Sequence, residues 1–462
     1  MHYLERMKVH FIAIGGSAMH NLAIALRDKG YEATGSDDAV YEPSRTRLDR
    51  KGLLPKEMGW HPERIHAQLD AVILGMHAKE DNPELLKAKE LGIKIYSYPE
   101  YIYHQSEEKI RVVIAGSHGK TTITSMVLHV LNHVGRNFDY MVGAQLDGFE
   151  TMVKLTQEAP IIVLEGDEYL SSPIDRRPKF LWYKPHVALI SGIAWDHVNV
   201  FPTYENYVEQ FEHFVESLSE NKASLVFNRT DTEVKRIADA HRPDVVKMPY
   251  GTPKHQILDG ITYLIKENGE KVPLKIFGDH NLQNLNGAFH VLKALNISEE
   301  QFFEAIQSFE GASKRLELIA ASDKAKVFKD FAHSPSKLKA TCQAVKVQYS
   351  DRTLVAVMEL HTFSSLTSSF LLEYENSLNA ADVAVVYFNP SVVAKKNLPE
   401  ITKAQVKDAF GREDLMVFTE SDSLVNYLKG LEWSRKNLLL MSSGNFDGVD
   451  LDSFGKTLLE KT

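Results

Sequence analysis

A chain of 462 residues, 44% hydrophobic and 25% charged, is long enough for about three domains of ordinary size, each with its own core. Its formal net charge of -9 argues against a nucleic-acid or anionic-membrane surface, because phosphate backbones are held by basic patches. No apolar run approaches the roughly 18 residues of a membrane span, and the single cysteine, Cys342, forms no internal disulfide, so a reducing, cytoplasmic compartment is expected.

From the N-terminus, Lys8 to Ser36 reads as a strand, a glycine turn, an amphipathic helix and a second strand ending at Asp37, which is half of a doubly wound sheet. Gly15 and Gly16 let the chain approach a pyrophosphate, whereas a strict G-x-G-x-x-G fingerprint would need glycine at Ala13 and Ala18. The turn therefore suits an NAD-binding or a UDP-sugar-binding domain, since both set a diphosphate at a helix N-terminus. Asp37 either meets a ribose or caps a turn. A third strand, AVILGM, ends at His77, a ligand candidate at a strand's carboxyl end, and KIYSYPEYI closes the domain near Tyr103.

The stretch VVIAGSHGKTTITSMVLHVL, Val112 to Leu131, reads as strand, phosphate loop and helix. Gly116 and Gly119 carry no Cβ to block inward-pointing N–H groups, and Lys120 supplies positive charge. Thr121 offers a hydroxyl where such loops hold Mg²⁺, and Thr122 continues the first helical turn. Ile114 stands where the full Walker pattern has glycine, so the loop is a shortened variant. The strands of APIIVLEGDEY, PHVALISGIAWDHV and ASLVFNRTD then end in polar residues, which places Glu165, Asp167, Glu168, Asp196 and His197 on the rim of Lys120. Glu165, the first polar residue after IIVL, suits Mg²⁺ best; His197 would bind a second metal ion or orient a substrate carboxylate.

Gly278 to Gly287, GDHNLQNLNG, reads as an amide-rich loop opening the helix LNGAFHVLKAL, where Asn281 or Asn284 either meets an adenine edge or caps the helix. ISEEQFFEAIQSFEGASKRLELI predicts a helix ending at Gly311 and a link with Lys314 and Arg315, and the domain boundary is set there. The last third alternates the strands of VFKDFAHSP, TLVAVMELHTFSS, DVAVVYFN and NLLLMSSGNFDG with helices, a second doubly wound sheet. The fold class is thus α/β.

The motifs AGSHGKTT, LEGDE, WDHVNVFP, GDHNLQN, ASKRLE and DFAHSPSK, in this order over essentially the whole chain, resemble the ATP-dependent Mur ligases of peptidoglycan synthesis. The resemblance implies three domains: a Rossmann-like UDP-muramate-binding domain over 1–106, a central P-loop ATP-binding domain over 107–312, and a mobile, doubly wound acceptor-binding domain over 313–462. The IGGSAM turn and the GSHGK loop resemble the branch acting on UDP-N-acetylmuramate itself, whose members add L-alanine or reattach a recovered tripeptide. By matching position, the family implies that Lys120 and Thr121 hold the β- and γ-phosphates, with Gly116, Ser117, His118, Gly119 and Thr122 completing the loop. It further implies Mg²⁺ on Glu165 and Thr121, a second Mg²⁺ on His197, adenine at Asn284, and Arg315 and Asp330 reaching the nucleotide from the C-terminal side. Lys120 and His197 are the residues it implies for catalysis. Gly15, Gly16, Ser17, Ala18, Met19, Ser36, Asp37 and His77 would surround the UDP moiety. The segment YENYVEQFEHFVESL has no lysine, so the carbamylated lysine of some branches is not expected, and His333-Ser334-Pro335 departs from the usual His-His-Pro.

The implied reaction uses ATP to convert the muramyl lactyl carboxylate to an acyl phosphate, which an incoming amine opens, in a monomer or weak homodimer. Two rivals use the same residues: an oxidoreductase holding NAD at the N-terminal turn, which leaves LEGDE and WDH without a role, and a non-catalytic UDP-sugar sensor. Two features point to L-alanyl-γ-D-glutamyl-meso-diaminopimelate rather than L-alanine as acceptor. The stretch YLSSPIDRRPKFLWYKP after LEGDE is long and resembles that of peptide-adding members, and Ser365 in MELHTFSSL stands where alanine-adding members have arginine. His361 and Ser364 would then line the acceptor pocket, with Lys395, Lys396 and Asn445 available for the peptide carboxylates.

Overall fold

The computed structural model describes residues 6–146, 148–195, 200–220, 222–312 and 315–460. Compactness divides the chain into two units, Met1–Gly251 with Gln283–Ile306, and Thr252–Leu282 with Gln307–Thr462.

The first unit begins with β1 (Lys8–Ile12), α1 (Ser17–Asp28), β2 (Glu32–Ser36), β3 (Ala71–Leu74) and β4 (Ile95–Ser97), a parallel sheet of order β2-β1-β3-β4. Met19, Leu22, Ala23 and Leu26 recur at helical spacing along α1 and are all buried. KIYSYPEYI is divided: only its first part is strand, and Ser97 caps a helix over Tyr98–His104 through a capping box with Glu100.

The larger sheet of this unit contains β5 (Ile110–Ala115), followed by α2 (Lys120–His133), then β6 (Asp139–Met141), β7 (Val153–Lys154), β8 (Ile161–Glu165) and β9 (Val187–Ile190). After α3 (Tyr204–Glu216) come β10 (Ser224–Asn228) and β11 (Val246–Tyr250). Strand order is β11-β10-β9-β5-β8-β6-β7, with only β7 antiparallel. Val112 to Ala115 of β5 and Ile161 to Leu164 of β8 are continuous buried apolar runs rather than alternating ones, as in a parallel sheet covered on both faces. β5 lies between β8 and β9, so the chain leaves it in both directions and opens a crevice at its carboxyl end, where α/β sheets place their ligands.

The second unit starts with an antiparallel sheet, β12 (His255–Leu258), β13 (Ile261–Ile265) and β14 (Lys271–Leu274). α4 (Asp279–Ala294) and α5 (Glu299–Ile306) follow; the chain returns to the first unit inside α4, after Leu282, and re-enters the second after Ile306. GDHNLQN is therefore helix rather than loop from Asp279 onward: Gly278, at φ +89°, makes the sharp entry, and Asn281 donates back to Phe277 O at 3.0 Å instead of capping. The ISEEQFFEAI helix stops at Ile306, short of Gly311, which has φ +109°.

β15 (Glu317–Ala321), β16 (Ala325–Asp330), β17 (Thr353–Glu359), β18 (Val383–Tyr387), β19 (Met416–Phe418) and β20 (Lys436–Met441) form the last sheet, of order β15-β16-β20-β17-β18-β19, with α6 (Pro335–Gln348) and further helices up to Leu451–Leu459 between and after its strands. All pairings are parallel except the β15 edge. Cys342 lies in α6 against this sheet, fully buried, and burial pushes its thiol up to about 12. No helix among the described residues is long and apolar enough to cross a membrane.

Candidate active site

Four strand ends meet around the phosphate loop. β5 delivers Gly116 to Gly119, β8 delivers Glu165, β9 delivers Ser191 and β10 delivers Asn228. The loop has no room for other side chains: a Cβ on Gly116 would sit 2.2 Å from Ser191 Oγ, and one on Gly119 would sit 2.4 Å from Asn284 Oδ1. Both glycines also have positive φ, +122° and +79°, so composition and backbone conformation demand the same residue. Ser117 N donates to Gly192 O at 2.9 Å, and Ser191 hydrogen-bonds His118 O, which fixes the loop to the end of β9.

Lys120 opens α2, and its ammonium donates to Gly116 O and to Glu168 Oε2, both at 2.7 Å. Burial works against the ammonium, but Glu168 and Asp167 outweigh it and raise the Lys120 pKa, so the lysine is charged at every physiological pH. Thr121 Oγ1 donates to Glu165 Oε1 at 2.9 Å, and Gly143 N holds the other carboxylate oxygen at 2.8 Å. This hydroxyl and buried carboxylate, at the positive end of a helix, are oxygen donors of the kind a hard cation such as Mg²⁺ accepts beside phosphate. Thr122 is buried in α2, and His118 Nδ1 meets Ser117 O at 2.8 Å. Asp167 is drawn into an ion pair with Lys179 at 2.6 Å; burial opposes ionisation there, yet Lys179 and Lys120 hold the carboxyl below its ordinary range.

At the other turn of the same unit, Gly15 N donates to Asp37 Oδ2 at 2.7 Å, and a Cβ on Gly15 would clash with that oxygen at 2.9 Å. Burial raises the Asp37 carboxyl despite this bond. Ser17 and Ala18 are exposed at the start of α1, Gly16 is half-buried, Met19 is buried, and Ser36 accepts from Arg64 at 3.4 Å. His77 is exposed beyond β3. Asn21 of α1 accepts from Met152 N at 2.9 Å, tying this turn to the β6–β7 segment whose Gly143 holds Glu165.

In the second unit, Asp330 ends β16 and accepts from the amides of Leu316 at 2.5 Å and Ala332 at 2.6 Å. Burial raises its carboxyl, with Arg315 and those amides pulling the other way. The Arg315 guanidinium lies 5.2 Å from the Phe331 ring. Asp196, His197 and Lys314 lie outside the described residues. Sequence reasoning did not single out Ser191, which seals the loop, or Tyr207, whose hydroxyl donates to Glu168 at 2.9 Å. The only signal for Tyr207 was a hydroxyl among the phenylalanines of a buried helix stripe.

Residues 8–109 match the Mur ligase family catalytic domain, and residues 114–292 match the Mur ligase middle domain. The chain is 31% identical to a UDP-N-acetylmuramate–L-alanine ligase of Sulfurihydrogenibium sp., over 98% of each chain. It is 26% identical to the UDP-N-acetylmuramate–L-alanyl-γ-D-glutamyl-meso-2,6-diaminoheptandioate ligase of Escherichia coli K12, over 96% of each. Its fold is that of a UDP-N-acetylmuramate–alanine ligase from Thermotoga maritima, with a TM-score of 0.68 and 20% identity over 99% of each chain.

Proposed function

This chain belongs to the Mur ligase family, whose members are ATP-dependent, ADP-forming ligases, and from that premise we propose that it joins UDP-N-acetylmuramate to L-alanyl-γ-D-glutamyl-meso-diaminopimelate. In the proposed reaction the lactyl carboxylate attacks the γ-phosphorus and ADP departs; the acceptor amine then attacks the acyl carbon and phosphate leaves. The phosphate loop supplies a charged Lys120 with two of its three N–H donors fixed by Gly116 O and Glu168, which leaves one for a phosphate oxygen. Thr121 and Glu165 would hold one Mg²⁺ and His197 a second, and the ions when bound neutralise phosphate charge. Gly15, Gly16, Ser17, Ala18, Met19, Ser36, Asp37 and His77 are proposed for UDP, Asn284 for adenine, and Arg315 and Asp330 for the nucleotide's far side.

One observation carries the peptide acceptor over L-alanine: Ser365, at the position where the alanine-adding pattern has arginine, is fully buried with its hydroxyl donating to Thr362 O at 3.1 Å, so this position itself offers an acceptor no cation. Supporting it, the stretch after β8 is a built segment, with Asp167 paired to Lys179, Arg177 to Asp175 at 2.9 Å, and Trp182 Nε1 donating to Asp175 at 2.8 Å. Beyond β17, His361 Nδ1 lies 3.6 Å from the buried Glu359, which also accepts from Phe446 N and Ser442. L-Alanine is the rival acceptor, favoured by the names of several relatives. Phosphate release is the test, with ATP, Mg²⁺ and UDP-N-acetylmuramate and either the tripeptide or L-alanine at equal concentration. Faster turnover with the tripeptide is expected; faster turnover with alanine reverses the assignment.

A further inference from the structure

Tyr207 is fully buried in α3, with its ring edge-on to Phe201 and Phe211 at 5.5 and 5.4 Å. Phenylalanine would fill that space equally well, so the hydroxyl needs its own explanation. It lies 2.9 Å from Ser117 Oγ of the phosphate loop and 2.9 Å from Glu168 Oε1. A carboxylate only accepts, and a phenol has one hydrogen, so Tyr207 donates to Glu168 and must accept from Ser117. Ser117 Oγ in turn accepts from Ala194 N at 2.8 Å. The donors therefore run one way, from Ala194 N–H through Ser117 and Tyr207 to Glu168, whose other oxygen receives the Lys120 ammonium at 2.7 Å. Ser117, Tyr207 and Glu168 are each more than nine-tenths buried, where a hydrogen bond to a charge is strong and a lost one is costly.

We propose that Tyr207 is a positioning residue for phosphoryl transfer: its hydroxyl, oriented by Ser117, anchors Glu168 so that Glu168 sets the place of the Lys120 ammonium. Two rotatable carboxylate oxygens have separate tasks. One is tied to a rigid, ring-packed phenol, and the other is aimed at the lysine. Because the link passes through the loop itself at Ser117, the chain couples α3 to the loop that would hold the triphosphate. The inference rests on the ligase reading above.

The test is a double-mutant cycle on the full chain, read as phosphate release at saturating ATP, Mg²⁺, UDP-N-acetylmuramate and whichever acceptor the wild type uses. Tyr207→Phe should lower kcat about 10-fold, the loss of one charge-assisted hydrogen bond, and leave the KM for UDP-N-acetylmuramate within twofold. In a Glu168→Gln background the same Tyr207→Phe change should cost less than twofold, because its route to Lys120 is already cut. If Glu168→Gln leaves no measurable turnover, the cycle is read on the Kd of a non-hydrolysable ATP analogue. If Tyr207→Phe does not fold, Ser117→Ala, which removes the donor to the phenol, takes its place. A Tyr207→Phe kcat within twofold of wild type, or an equal loss in both backgrounds, overturns the proposal. Absence of turnover in the wild type would instead overturn the ligase reading.

Discussion

Lys120 stands on the phosphate loop but is balanced by groups from β8, so its removal separates chemistry from binding. Lys120→Ala is expected to lower ATP turnover by about 10² to 10³, the cost of deleting one preorganised transition-state contact. Binding of UDP-N-acetylmuramate, followed by calorimetry, should stay within twofold, because the Gly15 turn shares no hydrogen bond with Lys120. Glu165→Gln should raise the Mg²⁺ midpoint for turnover, since an amide is a poorer ligand for a hard cation; an unchanged midpoint would move the metal to Asp167 or Glu168. Gly119→Ala combines a φ of +79° with a methyl 2.4 Å from Asn284 Oδ1, so Asn284 must move. A loss of about 1 to 2 kcal/mol in unfolding free energy and weaker ATP-analogue binding are the expected results. These glycines were legible in the sequence because strand, loop and helix lie within one short stretch and the constraint is local. Tyr207 was not, because its partner Ser117 is 90 residues away and only the folded chain brings the two hydroxyls together.

At the level of elements, α4 shows how a helix start sets a titration. His280 sits in the first turn beside Gly278, and burial brings its pKa from 6.5 to about 4, with Asp279 opposing. The helix N-terminus disfavours an imidazolium as well. Between those two values the unfolded chain binds more protons than the folded one. The stability conferred by a neutral ring is therefore complete above about 6.5 and is lost as pH falls toward 4. His280→Gln should flatten the decline in Tm between about pH 7 and 4.5; parallel declines would remove His280 as the cause. The sequence signalled a helix here but placed its start late, because Asp279, His280 and the asparagines read as turn residues while Gly278 alone makes the turn. The β12–β14 sheet was also written in the chain. Asp259-Gly260, with φ of +51° and +73°, is a two-residue hairpin turn, and Asn268-Gly269 precedes β14. Its strands are short and partly exposed, so they lack the apolar runs that marked the parallel sheets.

For the whole molecule, the doubly wound sheets and their order along the chain were legible because their central strands, such as β8, β9, β17 and β18, are apolar runs closed by polar residues. The chain passes between the compact units after Gly251, Leu282 and Ile306, and the second crossing lies within α4, where a continuous helix gives no sequence signal of a border. The C-terminal domain is proposed to close during the reaction, as protection of an acyl phosphate from water requires. Small-angle scattering with and without an ATP analogue and UDP-N-acetylmuramate should then show a smaller radius of gyration for the ligated protein; identical profiles would count against closure.

Cys342 makes that motion unusually easy to watch. A lone thiol sealed within α6, with its pKa pushed to about 12, is inert to maleimides at neutral pH, since only an accessible thiolate reacts. The natural chain is thus already a silent background for dye labelling. Cysteines introduced at the exposed positions Glu57 and Lys407, one in each unit, would carry a fluorophore pair without removal of the native cysteine. Energy transfer between them would then follow each turnover in single molecules.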